Sequence, residues 1–511
     1  MNGATAQAPP HGMALVLLTV GLSLGTFMQV LDSSIANVSL PAISGDLAVS
    51  PSQGTWVITS FAVSNAIALP LTGWLTRRFG DVRLFVLSTL LFTLASWLCG
   101  LAPSLPLLIA ARVLQGAVAG PMIPLSQSLL LNNYPPEKKG LALALWSMTV
   151  TVAPILGPIF GGWITDNISW PWIFYINLPV GVASALLTWT LIGRQNSRTE
   201  SLPVDRIGLG LLVLGIGALQ ILLDKGNELD WFESSTIVAL AAVAVVCIAF
   251  LVAWELTERH PVVDLRLFAE RNFLVGTLVL SIGYMIFFGN VVVLPLWLQE
   301  NLGYTATWAG LATAPIGILP VLLSAAVGKH MHRLDLRLWA TLSFGVFAAA
   351  LFWHSGFNTE VSFFQVALPR FLMGLGVVTF FVPLTALTLS NIAPAQLPSA
   401  TGLSNFARVL AGSFGTSLSI TLWNRREIYH HSTLASHVSA FDPRAAEALG
   451  PLAAPQADPL LLEQLVEHQA LMLAANDVFW VSGWLFVGLM ALVWLARPTR
   501  GVSAAANAGA H

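Results

Sequence analysis

The sequence predicts an all-α polytopic membrane protein with fourteen transmembrane helices, and three observations predict it. Only 9% of the 511 residues are charged, against roughly 25% in soluble domains, and the mean hydropathy is +0.75. Apolar runs of bilayer-spanning length, about 20 residues, recur fourteen times. Lysine and arginine then sort between the intervening loops with a strong bias.

In order, the runs are 13–40, 55–76, 83–102, 105–130, 140–165, 172–193, 207–223, 235–255, 272–298, 305–328, 336–354, 363–389, 400–423 and 476–496. Most connections are short: DNISWPW and QENLGY leave room for little more than a turn. The first run has neither a positive n-region nor a following cleavage site, so it reads as a retained span. Taking alternate loops as one side, 16 Lys and Arg fall there and 4 on the other. Cytoplasmic loops are the positive ones, so both termini are expected in the cytoplasm. The one long loop, 424–475, falls on the opposite side. Its segment LLLEQLVEHQALMLAA has helical amphipathic spacing. That fits a surface helix at the membrane interface or a docking element for an extracytoplasmic partner.

The composition excludes several functions. A net charge of -2 suggests no nucleic-acid partner. Cys99 and Cys247 form neither a disulfide framework nor a zinc spacing. His330 and His332, and His430, His431 and His437, lack supporting Cys or acidic ligands, so no metal is expected. No P-loop occurs, so ATP is not a direct energy source, and no nucleophile–base constellation points to an enzyme.

A weak internal repeat relates ARVLQGAVAGPMIPLSQSLLL, from Ala111, to PRFLMGLGVVTFFVPLTALTL, from Pro369. Arg112, Gly116 and Pro124 correspond to Arg370, Gly374 and Pro383. Repeated halves are a transporter signature, because rocking one half against the other gives alternating access.

Charges inside the spans carry the functional reading. These are one acid, Asp32, and three bases, Arg112, Arg370 and Arg408. A carboxylate in a span costs ~2.5 kcal/mol or more and must face a cavity or a partner. Asp32 precedes Pro41 by nine residues and Arg112 follows Leu105 by seven, so both lie roughly 10–14 Å below the outer surface. They are expected to pair or couple. Asp32, facing a wet cavity, is the leading proton carrier; a fixed contact that only holds helices together is the alternative. Arg370 and Arg408 are left between contact with an anionic substrate and a structural role.

These residues resemble the major facilitator superfamily, and more narrowly its fourteen-span drug:proton antiporters, over nearly the whole chain. LDSSIANVSLP is similar to the first-span motif with its acid. RVLQGAVAGP is similar to the fourth-span motif, with Arg112 as the basic residue of proton transfer. APILGPIFGG is similar to the antiporter motif, here Gly157, Pro158, Gly161 and Gly162, and WPWIFYINLPVG to the sixth-span signature. Between spans two and three, GWLTRRFGDVR contributes Gly73, Arg77, Arg78, Gly80 and Asp81, with the superfamily's usual acid and base exchanged. The same exchange, and stretches like SQGTWVITSF and GYTATWAGLA, resemble a group of Gram-negative multidrug exporters.

The resemblance implies an N-terminal tail at 1–12, a six-helix bundle at 13–193, a linker with two extra spans at 194–271, a second bundle at 272–496 including loop 424–475, and a tail at 497–511. It implies proton-driven export of hydrophobic or amphipathic drugs across a bacterial inner membrane, without a cofactor, together with a periplasmic adaptor and an outer-membrane channel. A dedicated exporter of one natural amphipath is the alternative. Polar candidates for the substrate cavity are Asn65, Gln115, Gln127, Asn290, Arg370 and Asn405, and apolar ones Phe27, Met28, Trp146 and Tyr284. For each, helix packing is the competing role.

Overall fold

Fourteen helical segments follow the apolar runs in a computed structural model. It describes residues 10–195, 199, 203, 205–437 and 459–499, with backbone alone at 51, 52, 155, 158, 306, 332 and 459–461. A bilayer-spanning chain must satisfy its backbone internally, and helices do so one segment at a time.

The first half comprises α1 (Met13–Asp46), α2 (Trp56–Ala68 and Thr72–Phe79), α3 (Asp81–Gly100), α4 (Leu105–Asn133), α5 (Lys139–Asn167) and α6 (Trp172–Ile192). Two helices follow, α7 (Arg206–Lys225) and α8 (Ser235–Thr257). The second half comprises α9 (Arg271–Glu300), α10 (Thr307–His330), α11 (Leu336–His354), α12 (Phe363–Thr388), α13 (Leu397–His437) and α14 (Pro459–Leu492). Eleven of these are long and apolar enough to span by themselves, and α2 and α5 qualify as bent pairs. The fourteenth, α13, carries Arg408 and a polar extension beyond Trp423.

Local chemistry places the breaks. Pro70 follows the first part of α2, which bends by 63°, since proline removes a backbone donor. Gly80 joins α2 to α3 at φ 82°, a conformation that disfavours a side chain. Asp205 caps α7 by accepting from the backbone of Ile207 and Gly208, and Ser362 with Gln365 forms a capping box on α12.

The two halves repeat one packing scheme. In the first, α1 packs on α5 and α6, α4 on α2 and α3, and α3 on α6; in the second, α9 packs on α13 and α14, α12 on α10 and α11, and α11 on α14. Each half is thus a six-helix bundle. The bundles meet along two related seams, α2 with α13 and α5 with α10. The face bearing the start of α1 and the end of α14 is called the terminal face below, and the opposite one the distal face.

Helix α7 straddles one seam. Thr59 of α2 donates to Asp224, and Lys225 Nζ lies 2.5 Å from Thr55 Oγ1. On the other side, Gln220 Nε2 donates to Ser413 of α13 at 2.8 Å, and Ser417 Oγ donates to the Leu223 carbonyl at 2.8 Å. Helix α8 packs on α7 and is the least covered of the spans.

Two expectations are corrected. The described parts of the stretch 424–475, residues 424–437 and 459–475, are helical and continuous with the spans rather than a loop with a separate interfacial helix. Helix α13 continues to His437, and the amphipathic stretch is the first part of α14, continuous with the last span. Asp477 ties the two extensions together, 2.6 Å from both Arg426 Nε and His430 Nε2. The part of that stretch at 438–458 lies outside the described residues. Asp32 is also not the one acid of the spans. Glu255, fully buried, lies in the last turn of α8, Asp224 in the last turn of α7, and Asp477 midway along α14. The apolar runs around them hid them from a reading by composition.

Candidate functional site

The structure brings Asp32 and Arg112 together inside the first bundle. Arg112 Nη1 lies 2.5 Å from Asp32 Oδ2. Gln115 Nε2 donates to Asp32 Oδ1 at 3.1 Å, and Asn177 Nδ2 donates to the same oxygen at 2.8 Å. Arg112 also donates to the Val57 carbonyl at 3.0 Å and to Gln115 Oε1 at 2.6 Å. Its guanidinium stacks 4.3 Å from the centroid of Phe61. A lone carboxylate here would carry a large desolvation cost; a paired one with two amide donors does not.

Both charges are about 1% exposed. Asp32 therefore does not face a wet cavity in this conformation. Arg112, Gln115 and Asn177 offset its burial instead. Asn177 was not foreseen; its signal is a lone amide in the apolar run FYINLPVG. Asn177 also donates to Ser96, which donates to the Phe174 carbonyl, so α1, α3, α4 and α6 share one polar network.

Gly157 and Gly161 of α5 face α1 immediately beyond Asp32. A Cβ on Gly157 would meet Ser34 Oγ at 2.3 Å, and one on Gly161 would meet Ile35 O at 3.2 Å. Gly162 has open space beside it. The side chain of Pro158 lies outside the described residues.

At the terminal face the seams are tight. Gly73 of α2 abuts Ser399 of α13. Arg77 Nη2 reaches the Pro261 carbonyl at 3.5 Å, and Arg78 lies over the Trp74 ring at 5.5 Å. Asp81 begins α3. Further in, Gln127 of α4 accepts from Asn405 of α13 at 3.0 Å, and Asn405 accepts from Arg408 at 2.6 Å. Arg408 is enclosed by Tyr284, Trp146 and Phe381 at 5.2–5.8 Å. These groups leave a void of only about 10 Å³, so the space between the bundles closes here.

Towards the distal face the bundles part around a cavity of about 300 Å³, walled by α1, α5, α9, α10 and α12. Of the residues expected to line it, Tyr284 and Arg370 do. Gln127, Trp146 and Asn405 belong to the closure below it. Met28 and Phe61 pack inside the first bundle, with Phe27 against a neighbouring cluster and Asn65 3.4 Å from Gln29. Gln115 belongs to the Asp32 network, and Asn290 donates to Ile286 O and Ser482 Oγ. Sequence reasoning missed the cavity residues of α10, such as Thr313 and Ile316. Their apolar run shows no sign of which face meets the other bundle. Among the described residues, no His, Cys, Asp and Glu cluster could hold a metal ion.

Comparison with known proteins matches this architecture. Residues 22–416 fit the sequence profile of the Major Facilitator Superfamily. The multidrug export protein EmrB of Escherichia coli K12 is 53% identical over 512 residues, covering 99% of this chain and 99% of that protein. The fatty acid resistance protein FarB of Neisseria gonorrhoeae is 48% identical, covering 96% of this chain and 97% of FarB. Among solved structures, the proton:xylose symporter XylE superposes with a TM-score of 0.60 at 14% identity, covering 94% of this chain and 95% of XylE.

Proposed function

This chain belongs to the major facilitator superfamily, in its EmrB-type group, and from that premise we propose that it exports hydrophobic and amphipathic drugs across the inner membrane in exchange for protons. It is a multi-pass membrane transporter, not an enzyme. The buried Asp32–Arg112 pair is the observation that supports proton coupling. Protonating Asp32 removes its attraction for Arg112 and frees a guanidinium that is held by Gln115 and the Val57 carbonyl alone. Because α5 packs directly beyond Asp32, such a change acts on a helix of the α5–α10 seam. Ion pairs of this kind are common bistable elements in switching proteins.

The cavity between the bundles is the drug site in this reading, closed from the terminal face and approached from the distal one. Both termini are cytoplasmic, as the Lys and Arg bias indicates, so the distal face is periplasmic. No cofactor is needed, since the proton gradient supplies the energy. The EmrB resemblance supports assembly with an EmrA-like periplasmic adaptor and a TolC-like outer-membrane channel, with the α13–α14 extension on the adaptor's side.

A second reading is a dedicated exporter of one natural amphipath, such as a fatty acid or a siderophore. The similarity to a fatty acid resistance protein favours it. Profiling export of a chemically varied panel separates the two.

The coupling is tested with purified protein in liposomes under an imposed pH gradient. Drug-driven proton movement is expected for the native chain. Asp32→Asn is expected to bind drug without moving protons. Undiminished coupling in that variant would remove Asp32 as the carrier.

A further inference from the structure

The two halves of the protein treat equivalent arginines differently. Arg112 lies seven residues after the first residue of α4, and Arg370 seven after the first of α12. Asp32 lies 19 residues after the first residue of α1, and the residue 19 after the first of α9 is Asn290. The packing scheme of the bundles makes α1 equivalent to α9 and α4 to α12. The second half has thus kept the base and replaced the acid by a neutral amide.

The consequence is visible in the contacts. Arg112 has a carboxylate, a carbonyl and an amide oxygen. Asn290 donates along its own helix and to Ser482, and Arg370 receives nothing from it. Among the described residues, Arg370 makes no ion pair; its one hydrogen-bond contact is Nη1 to the sulfur of Met373 at 3.9 Å, and its Nε has no partner. The residue is 2% exposed. An ionised group so enclosed and so poorly paired is costly.

Arg370 lines the cavity between the bundles. The walls are largely apolar, with Phe287, Phe288, Val291, Val377 and Phe381 among them, and among the described residues no carboxylate lines it. A ligand entering this space meets an uncompensated cation with an apolar chamber around it.

We infer that the cavity takes amphipathic monoanions, with Arg370 receiving the carboxylate, or an equivalent anionic head, in the place that Asp32 fills for Arg112. A guanidinium presents a fork of donors that matches a carboxylate in two parallel hydrogen bonds. The apolar walls hold the ligand's body. A cation in the same cavity would face Arg370 with no acid to receive it, so the site selects by charge as well as by hydrophobicity. This rests on the cavity being the drug site, as proposed above, and names the class of compound it prefers and the residue that imposes the preference.

The test uses the full chain in lipid nanodiscs and three compounds of matched body: 4-pentylbenzoate, 4-pentylbenzamide and 4-pentylbenzylammonium. Calorimetric titration is expected to rank the benzoate about 10–100-fold tighter than the benzamide, the range for a hydrogen bond to a charged group, with the ammonium weakest. Arg370→Gln is expected to bring the benzoate down to the benzamide's affinity, and Arg370→Lys to retain part of the preference. Arg370→Glu is expected to move the ammonium ahead of the benzoate. Equal affinity of the native chain for all three, or an ammonium-first ranking, overturns the inference while leaving the drug cavity in place. A benzoate preference that survives in folded Arg370→Gln overturns it by seating the anion elsewhere. Absence of binding by all three to the native chain removes the cavity reading itself. The native ranking alone decides if a variant does not fold.

Discussion

Gly140 of α5 and Gly328 of α10 meet backbone to backbone across the seam at the terminal face. A Cβ on Gly140 would fall 2.3 Å from the Gly328 carbonyl oxygen, and one on Gly328 would fall 2.5 Å from the Gly140 carbonyl oxygen. The related seam is close too, though less so: a Cβ on Gly402 of α13 would fall 3.0 Å from the Thr72 Cβ of α2 and 3.1 Å from the Leu69 carbonyl oxygen at the break in that helix. Main-chain atoms cannot rotate out of the way, so the closed face depends on these residues lacking a side chain.

Gly140→Ala and Gly328→Ala should each therefore favour the state open at the terminal face. Overpacking of this kind costs about 1–3 kcal/mol, a shift of roughly 5–150-fold in the balance of the two states. Spin-label distances between the terminal ends of α5 and α10 should lengthen in either variant. Unchanged distances would show that the seam accommodates the methyl group.

Asp32 and Arg112 should behave as one unit. Arg112→Gln or Asp32→Asn strands a buried charge, and breaking such a pair costs about 3–5 kcal/mol. The double variant Asp32→Asn/Arg112→Gln strands none. Its melting temperature in detergent should recover most of the loss, while proton coupling stays absent. Additive destabilisation in the double variant would mean that the two residues act independently.

Asp335 gives an acid limb to stability at the terminal face. It caps α11, accepting from the backbone N–H and the guanidinium of Arg337. Burial opposes its ionisation, but the hydrogen bonds and charge of Arg337 outweigh this and hold it below the usual carboxylate range. A depressed folded value stabilises the protein above the unfolded carboxylate value, near 3.9. That contribution is lost as pH falls through the folded value. Asp335→Asn keeps a cap but loses the ion pair with Arg337, so it should cost up to about 1 kcal/mol at neutral pH and flatten the decline of melting temperature below about pH 4. An unchanged acid profile would assign that decline to other carboxylates.

Asp477 should hold the α13–α14 extension locally. It and Arg426 are about one-third exposed, so Asp477→Asn should change global stability by less than about 1 kcal/mol. Amide exchange in the part of α14 leading up to Asp477 should nevertheless quicken, because both Arg426 and His430 lose their shared acceptor. Unaltered exchange there would mean that other contacts, such as the hydrogen bond from Trp423 Nε1 to the Leu471 carbonyl at 3.2 Å, suffice.

The sequence carried the number of helices, their order and the partnership of Asp32 with Arg112, because these depend on one-dimensional features. A charge in an apolar run stands out, and its distance from a helix end sets its depth. Which side of a helix faces the other bundle is a tertiary property. Asn290 and Asn405 look alike as amides in apolar runs, yet one ties α9 to α14 and the other bridges the bundles through Gln127. The extension of α13 was illegible for a different reason: a polar helix beyond the membrane has the composition of a loop, and the contacts of Asp477 that support it span 47 residues or more in sequence.

Helix α7, finally, makes the protein mechanically lopsided. Its hydrogen bonds to both α2 and α13 stitch one side of the two-bundle assembly. The opposite side, where α5 meets α10, has no such strap among the described residues and carries an apolar groove of about 320 Å³ lined by Val152, Ile318, Val321 and Leu322. The halves are thus hung like a door on a jamb rather than balanced like a seesaw. Opening should be wide at the unstrapped edge and narrow at the strapped one, which paired distance measurements across both edges would reveal as unequal swings.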